Sequence, residues 1–190
     1  MGLRITLLNL LKNICRGRAA WVCAGALAAA GLSGCVRSNA PILTDAKPVL
    51  GQQGQIHSYV LHDGGAHDPE VMNFRWNGSR YLVRGRAEDI RDFTVYPYES
   101  RDLIVQSTAV RPPHRTEYAL ARRVADGVYL MMAIDEADAD DATREKFCTR
   151  TKDTPCSIST PEQLFVFARA TAAKAPERAG LAVIVPAGTR

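Results

Sequence analysis

The residues with the clearest capacity for chemistry are three histidines, His57, His62 and His67, spaced five positions apart. Imidazole nitrogens bind Zn²⁺, and the carboxylates of Asp63 and Asp68 could extend such a ligand set. A spacing of five, however, matches neither one face of a helix nor the His-Glu-x-x-His motif of zinc enzymes. We therefore predict exposed histidines and no metal centre, and we retain the three side chains only as candidate ligands.

A second group combines arginines with aromatic residues along predicted strands. Arg75, Trp76, Arg84 and Tyr96 are its members. A guanidinium group binds a carboxylate or a phosphate through two parallel hydrogen bonds, and it also stacks on aromatic rings. This group predicts a face that binds a ligand or a polymer. The alternative is an ordinary solvent-exposed face of an antiparallel sheet.

Motifs for catalysis are missing from the sequence. It contains no Gly-x-Ser-x-Gly, no Ser-x-x-Lys, no Gly-x-x-x-x-Gly-Lys and no Gly-x-Gly-x-x-Gly. These patterns supply nucleophiles and phosphate-binding loops in common enzyme families. We therefore expect a non-enzymatic protein without a cofactor, and a hydrolase with a dispersed site remains an alternative.

The first 34 residues differ in character from the rest of the chain. They carry four basic residues and no acidic one, and the 14 residues from Ala19 to Leu32 are uncharged. A membrane-spanning helix needs about 20 apolar residues, so this run is too short to be one. A basic segment, a short apolar segment and then small residues are typical of a secretory signal peptide.

The signal ends in Leu32-Ser33-Gly34-Cys35, which closely resembles the lipobox of bacterial lipoproteins. The resemblance implies that Cys35 receives a thioether-linked diacylglycerol, that a signal peptidase cuts before it, and that its new amino group is acylated. Two or more acyl chains anchor a protein stably in a membrane. The resemblance further implies a periplasm-facing protein of the bacterial envelope. Because Asp after the cysteine favours the inner membrane in enteric-type lipoproteins, Val36 indicates the outer membrane.

These observations divide the chain into three parts. We predict a signal peptide over residues 1–34, a lipidated cysteine and flexible tether over 35–54, and one domain over 55–190. The tether is predicted because residues 36–54 contain Pro and Gly together with polar residues and show little periodicity.

The net charge of +4 belongs to the signal. The chain has 24 basic and 20 acidic residues, and four of the basic ones precede Cys35, which leaves 20 of each sign afterwards. A formally neutral domain removes the excess of basic residues that was the main support for a nucleic-acid partner. We therefore predict a membrane partner through Cys35, an envelope protein or surface polymer as a second partner, and no nucleic acid.

Beyond Cys35 the chain has two cysteines, Cys148 and Cys156. In an oxidising compartment such a pair predicts a disulfide. The alternatives are two metal ligands or a redox pair, although redox pairs usually have Cys-x-x-Cys spacing.

Between residues 55 and 137 the hydrophobic pattern has the period of strands. Met72, Phe74 and Trp76 alternate with polar residues. Asn77-Gly78 and Asp126-Gly127 each separate two such runs, which is the strongest short-range signal for a β-hairpin. About seven short strands joined by local turns predict an antiparallel meander that curls or closes toward a barrel.

The C-terminal part changes to the helical period. Acidic residues precede basic ones over 137–149, which predicts a first helix, and Thr160-Pro161-Glu162-Gln163 is a capping box that opens a second. Leu181–Val185 predicts a last strand. The second helix places four residues on one stripe, namely Leu164, Phe167, Ala168 and Thr171. We expect this helix to lie across the sheet or to plug one end of the barrel.

The sequence thus predicts an α+β fold, a predominantly antiparallel β-meander or small partial barrel with two C-terminal helices. The leading functional hypothesis is a lipid-anchored, non-enzymatic binding or structural module. The alternative is a carrier that holds a small apolar ligand inside a barrel, for which an apolar cavity is the expected sign.

Overall fold

The structure is a computed structural model, and it describes six stretches of the chain. The predicted signal peptide, His62 and His67 lie outside them. The described residues are 35–60, 69–84, 90–109, 115–149, 156–174 and 179–188.

In this part of the chain nine antiparallel strands form one sheet. They are β1 (Arg37–Ser38), β2 (Gln53–Val60), β3 (Glu70–Trp76), β4 (Tyr81–Arg84), β5 (Ile90–Glu99), β6 (Asp102–Ala109), β7 (Thr116–Ala125), β8 (Val128–Ala133) and β9 (Gly180–Pro186). Eight of them, β2 to β9, close into a barrel in sequence order. The barrel closes because β9 pairs with β8 on one side and with β2 on the other. Strand β1 lies on the same edge of β7 as β8 and pairs with the residues of β7 that β8 does not reach.

The predicted antiparallel meander is confirmed, and the barrel is fully closed rather than partial. The architecture is mostly β, so the predicted α+β class is confirmed only in part. In the described part of the chain each barrel strand pairs on both sides, and β1 covers the end of β7 that β8 does not reach. Paired edges protect the backbone groups from pairing with other chains.

Both predicted hairpins are present, with a change in turn geometry. Gly78 and Gly127 have positive φ, at 101° and 70°, whereas Asn77 does not. Instead, the Asn77 side chain accepts hydrogen bonds from the backbone N–H of Ser79 and Arg80 at 3.0 and 2.9 Å. A short polar side chain that bonds its own turn replaces the expected pair of left-handed residues.

The barrel interior is filled by side chains from alternate positions of each strand, as the period of two requires. Met72 and Phe74 of β3 are buried there, opposite Ile56 and Gly54 of β2. A Cβ on Gly54 would lie 2.6 Å from the backbone oxygen of Val185. Glycine at this position therefore lets β2 and β9 pack closely around the Phe74 ring.

Residues 35–50 form a strap on the outer wall of the barrel, which differs from the expected flexible tether over 35–54. Val36 is completely buried, and its N–H donates to the backbone oxygen of Ile134 at 3.0 Å. Further along, the N–H of Leu43 donates to Oε1 of Gln106, also at 3.0 Å. Val36 and Leu43 bury apolar surface, and several backbone donors of the strap find partners, so the segment packs despite its Pro and Gly content.

Helix α1 (Asp141–Phe147) and helix α2 (Pro161–Ala173) follow β8 and precede β9 along the chain. The first predicted helix is present, but it is shorter than the predicted range of 137–149. A 3₁₀ turn (Glu136–Asp138) comes first, and Asp140 then interrupts the helical path, because its side chain caps α1 by accepting from the Thr143 N–H at 2.7 Å.

The prediction for α2 is confirmed. Thr160 and Gln163 form the reciprocal capping box, Pro161 is the first helical residue, and the predicted stripe is buried. The stripe packs against the outer wall and the strap, where it builds a second core outside the barrel. Neither helix of the described chain has the length or apolar character needed to cross a membrane.

Candidate functional site

The end of the barrel where β2 begins, called the Leu50 end below, is closed by aromatic residues. The Tyr81 ring is fully buried, 5.3 Å from the centroid of Phe74, 5.0 Å from Trp76 and 4.9 Å from Phe93. Its hydroxyl accepts a hydrogen bond from the Leu50 N–H at 2.8 Å, and burial raises its pKa. This hydrogen bond joins the strap to the barrel, and the aromatic residues close the Leu50 end of the barrel.

An apolar cavity remains inside the barrel next to this aromatic group. Its volume is about 40 Å³, and its walls include the small side chains of Ala121 and Ala182 and the larger ones of Phe93, Tyr129 and Met131. A single water-sized group needs roughly 10–15 Å³, so the cavity holds about three such groups. The barrel is therefore largely filled, as eight strands permit.

A carboxylate lies on the inner face of the barrel at the opposite end. Glu70 pairs in register with Ser58, which lines the cavity, and shares the inward face of β3 with Met72 and Phe74. Its Oε2 atom is buried without a hydrogen-bond partner, and burial raises its pKa. The inner surface thus changes from apolar to acidic toward this end.

The predicted arginine–aromatic face is divided by the barrel wall. Arg75 and Arg84 are exposed on the outside, whereas Trp76 points inward against Tyr81. Tyr96 is outside but covered by the strap, since its hydroxyl donates to the Leu43 backbone oxygen at 2.8 Å. Neighbouring residues of a strand point to opposite sides, so Arg75 and Trp76 could not share a face.

Three amide side chains complete the outward face around the two arginines. Gln53 is opposite Arg75 and Gln55 is opposite Asn73 on β2 and β3, and Arg84 is opposite Asn73 on β4. We call these five residues the amide–arginine wall. The spacing Gln53–Gln55 and Asn73–Arg75 is itself the signal that could have revealed the amides, because residues two apart share a face.

A groove of about 400 Å³ adjoins this wall near the Leu50 end. It is lined by the three amide residues of the wall and by residues of β9 and the segment after it, including Val185 and Pro186. The Gln55 Nε2 donates to the Asn73 Oδ1 at 3.2 Å, and the Gln55 Oε1 lies 3.2 Å from the His57 ring. The amides are thus already oriented by one another, and His57 contributes to a polar surface with amide neighbours.

Cys35 is buried beside Asp135, with which it forms an isolated antiparallel β-bridge outside the named strands. Burial, followed by the nearby carboxylates of Asp135 and Glu117, raises the pKa of its thiol to about 11. A thiol in such surroundings stays protonated and is a poor nucleophile at neutral pH.

Cys148 and Cys156 form a disulfide, the pairing that their spacing predicts, with Cα atoms 4.9 Å apart. Glu136 adds a carboxylate, and its Oε2 lies 3.6 Å from the Sγ of Cys148. A cysteine binds a metal ion through its thiolate, and the two sulfurs of a disulfide are not thiolates. The bond joins the end of α1 to the segment before α2.

No protein-family model matches the sequence, and comparisons with curated proteins and with solved structures found no match. We therefore infer a function from the barrel, its cavity, its outer wall and the surroundings of Cys35.

Proposed function

We propose that this protein is a lipid-anchored barrel of the bacterial envelope that acts as a non-enzymatic binding module in the periplasm. The observation that carries the proposal is the lipobox Leu32-Ser33-Gly34-Cys35 directly before the first strand. Cys35 carries the lipid, and the outer wall of the barrel presents the binding surface to an envelope protein or surface polymer. The outer membrane is the proposed location.

The strap gives this anchoring a particular form. Val36 and Arg37 are hydrogen-bonded to the backbones of Ile134 and Cys156, each at 3.0 Å, directly after the anchored residue. Little free chain separates the lipid from the barrel, so the domain is held close to the membrane surface. Val36 is also required by packing, which supplies a second reason for its presence after the cysteine.

Lipid addition comes before the packing of Cys35 in this scheme. A buried thiol with a pKa of about 11 is a poor acceptor for a diacylglycerol group, whereas the same thiol in an unfolded precursor is accessible. A lipidated Cys35 cannot occupy its buried position beside Asp135, so the modified residue leaves that contact while β1 stays paired.

Replacing Cys35 by serine should release the protein from the membrane. Serine has no thiol for the thioether, and a protein without acyl chains loses about 0.8 kcal/mol of binding for every CH₂ no longer buried. The measurement is membrane fractionation together with incorporation of labelled palmitate in a bacterial host. The control is Cys148→Ser, which removes a cysteine elsewhere and should stay labelled. Equal labelling of wild type and Cys35→Ser would overturn the anchoring proposal.

A second candidate function is carriage of a small apolar molecule. The specific observation that favours it is the apolar cavity inside a closed barrel, bounded by Ala121 and Ala182. At about 40 Å³ the cavity admits only a few non-hydrogen atoms, so a larger ligand requires Met131 or Tyr129 to change rotamer.

Filling the cavity tests the carrier hypothesis. Ala121→Leu places a larger side chain where the ligand would lie, and the matched control Ala142→Leu makes the same change at an exposed position of α1. Solvent extraction of the purified proteins followed by mass spectrometry should yield about one apolar molecule per chain from wild type and the control, and much less from Ala121→Leu. No extractable molecule in wild type would count against carriage.

A further inference from the structure

We infer that the amide–arginine wall and its groove bind an acidic glycan, a sugar polymer that carries carboxylate or phosphate groups. The inference extends the proposed binding function, because it assigns a chemical class to the polymer that the anchored barrel meets. It depends on three features of the wall, which are its charge, its hydrogen-bonding groups and the shape of the groove.

The charge of the wall is positive and uncompensated. Arg75 and Arg84 lie on neighbouring strands in diagonal positions, where side chains are about 7–8 Å apart at their bases. Neither forms an ion pair with a described acidic residue, and no described outward residue of β9, β2, β3 or β4 is acidic. Asp92 on the next strand is already paired with Arg80 at 3.1 Å.

The hydrogen-bonding groups of the wall suit hydroxyl groups. Each amide of Gln53, Gln55 and Asn73 offers both a donor and an acceptor, which matches the dual character of a sugar hydroxyl. The hydrogen bond from Gln55 to Asn73 holds two of these amides in place before a ligand arrives. Prior orientation lowers the entropic cost of binding.

The shape of the groove favours a glycan over a folded protein. Its volume of about 400 Å³ lies within the range of small-ligand pockets and suits one or two sugar units. Protein interfaces instead gain their affinity from aromatic and aliphatic anchors. Beside the wall, on the outward face of β3, Val71 is 39% exposed, and it is the one exposed large apolar side chain among the described residues of β2, β3, β4 and β9.

The test compares ligands that differ in one property. The full chain, purified in detergent, is titrated by calorimetry with an oligogalacturonate of about six sugars, a phosphate-bearing oligomannose, neutral maltohexaose and polyglutamate. We expect binding of at least one acidic glycan, about tenfold or more tighter than maltohexaose or polyglutamate, and weakening with salt. Equally tight binding of polyglutamate would instead identify an acidic peptide and overturn the inference.

Two double variants with the same loss of charge locate the site. Arg75→Ala/Arg84→Ala should weaken acidic-glycan binding about tenfold or more, because two charged donors are removed. Arg101→Ala/Arg123→Ala removes two exposed arginines around the β5–β7 side of the barrel and should change it less than about twofold. Equal losses in both variants, with thermal melts unchanged, would show a general charge effect and overturn the assignment.

This outcome is separable from that of the anchoring proposal. The titration uses protein already extracted from membranes, so it reports on the wall whether or not Cys35 is lipidated. Membrane release of Cys35→Ser is measured without any glycan. Failure of the glycan-binding test therefore does not contradict the anchoring proposal, and failure of the anchoring test does not contradict glycan binding.

Discussion

Replacing Tyr81 by alanine should lower the free energy of unfolding by about 3–5 kcal/mol, the usual cost of deleting a large buried aromatic side chain. The ring is fully buried and lies within 5.3 Å, centroid to centroid, of Phe74, Trp76 and Phe93. Its loss opens a cavity at the Leu50 end and removes the hydroxyl that accepts from the strap. Urea denaturation followed by circular dichroism measures the change.

Two further variants separate the sources of this effect. Tyr81→Phe retains the ring and loses only the hydrogen bond from the Leu50 N–H, so we expect a cost of about 1 kcal/mol. Val124→Ala changes a side chain that is 52% exposed and should alter stability by less than about 0.5 kcal/mol. A Tyr81→Ala protein as stable as Val124→Ala would show that this aromatic group does not close the barrel.

Replacing Phe167 by alanine should also cost about 3–5 kcal/mol, through the core that lies outside the barrel. Phe167 is fully buried on α2, in a cluster that includes Leu120 of β7, Ile134 directly after β8 and Val36 of the strap. Among the described residues, this cluster shares no buried residue with the barrel interior. The loss should therefore loosen α2 and the strap before it affects the strands.

Hydrogen exchange distinguishes this outcome from general destabilisation. In Phe167→Ala, amides of α2 and of the strap should exchange faster through local opening, while amides of β2 and β3 change only with global stability. Glu162→Gln, at an exposed position of the same helix, should leave exchange nearly unchanged. Uniformly faster exchange across all strands would contradict the two-core arrangement.

The elements that sequence patterns predicted well are those governed by local interactions. The capping box at Thr160 and the stripe on α2 depend on residues three and four apart. The two hairpins depend on Gly78 and Gly127, whose positive φ is readily adopted only by glycine. The first helix is shorter than the predicted 137–149 for a local reason, because the Asp140 side chain accepts from the Thr143 N–H and caps a helix that begins at Asp141.

The four residues of the predicted binding face do not lie on one exposed surface. The period of two already separates Arg75 from Trp76, and it places Arg75 with Asn73 on one face. Tyr96 points outward, as a binding face requires, but the strap covers it. No local pattern shows that a segment some 50 residues earlier will lie over that tyrosine.

The amino-acid sequence by itself determined the neutral charge of residues 35–190, the hairpins and the amphipathic face of α2. It also contains the lipobox-like motif ending at Cys35 on which the anchoring proposal depends. Each of these depends on residue types at short fixed spacings. Only the tertiary structure decided that β9 closes the barrel against β2, that residues 35–50 pack as a strap, that the interior is nearly filled, and that amides of β2 meet arginines of β3 and β4. These features depend on pairing between residues far apart in the chain, and such pairings follow from the packing of the whole molecule rather than from any local pattern.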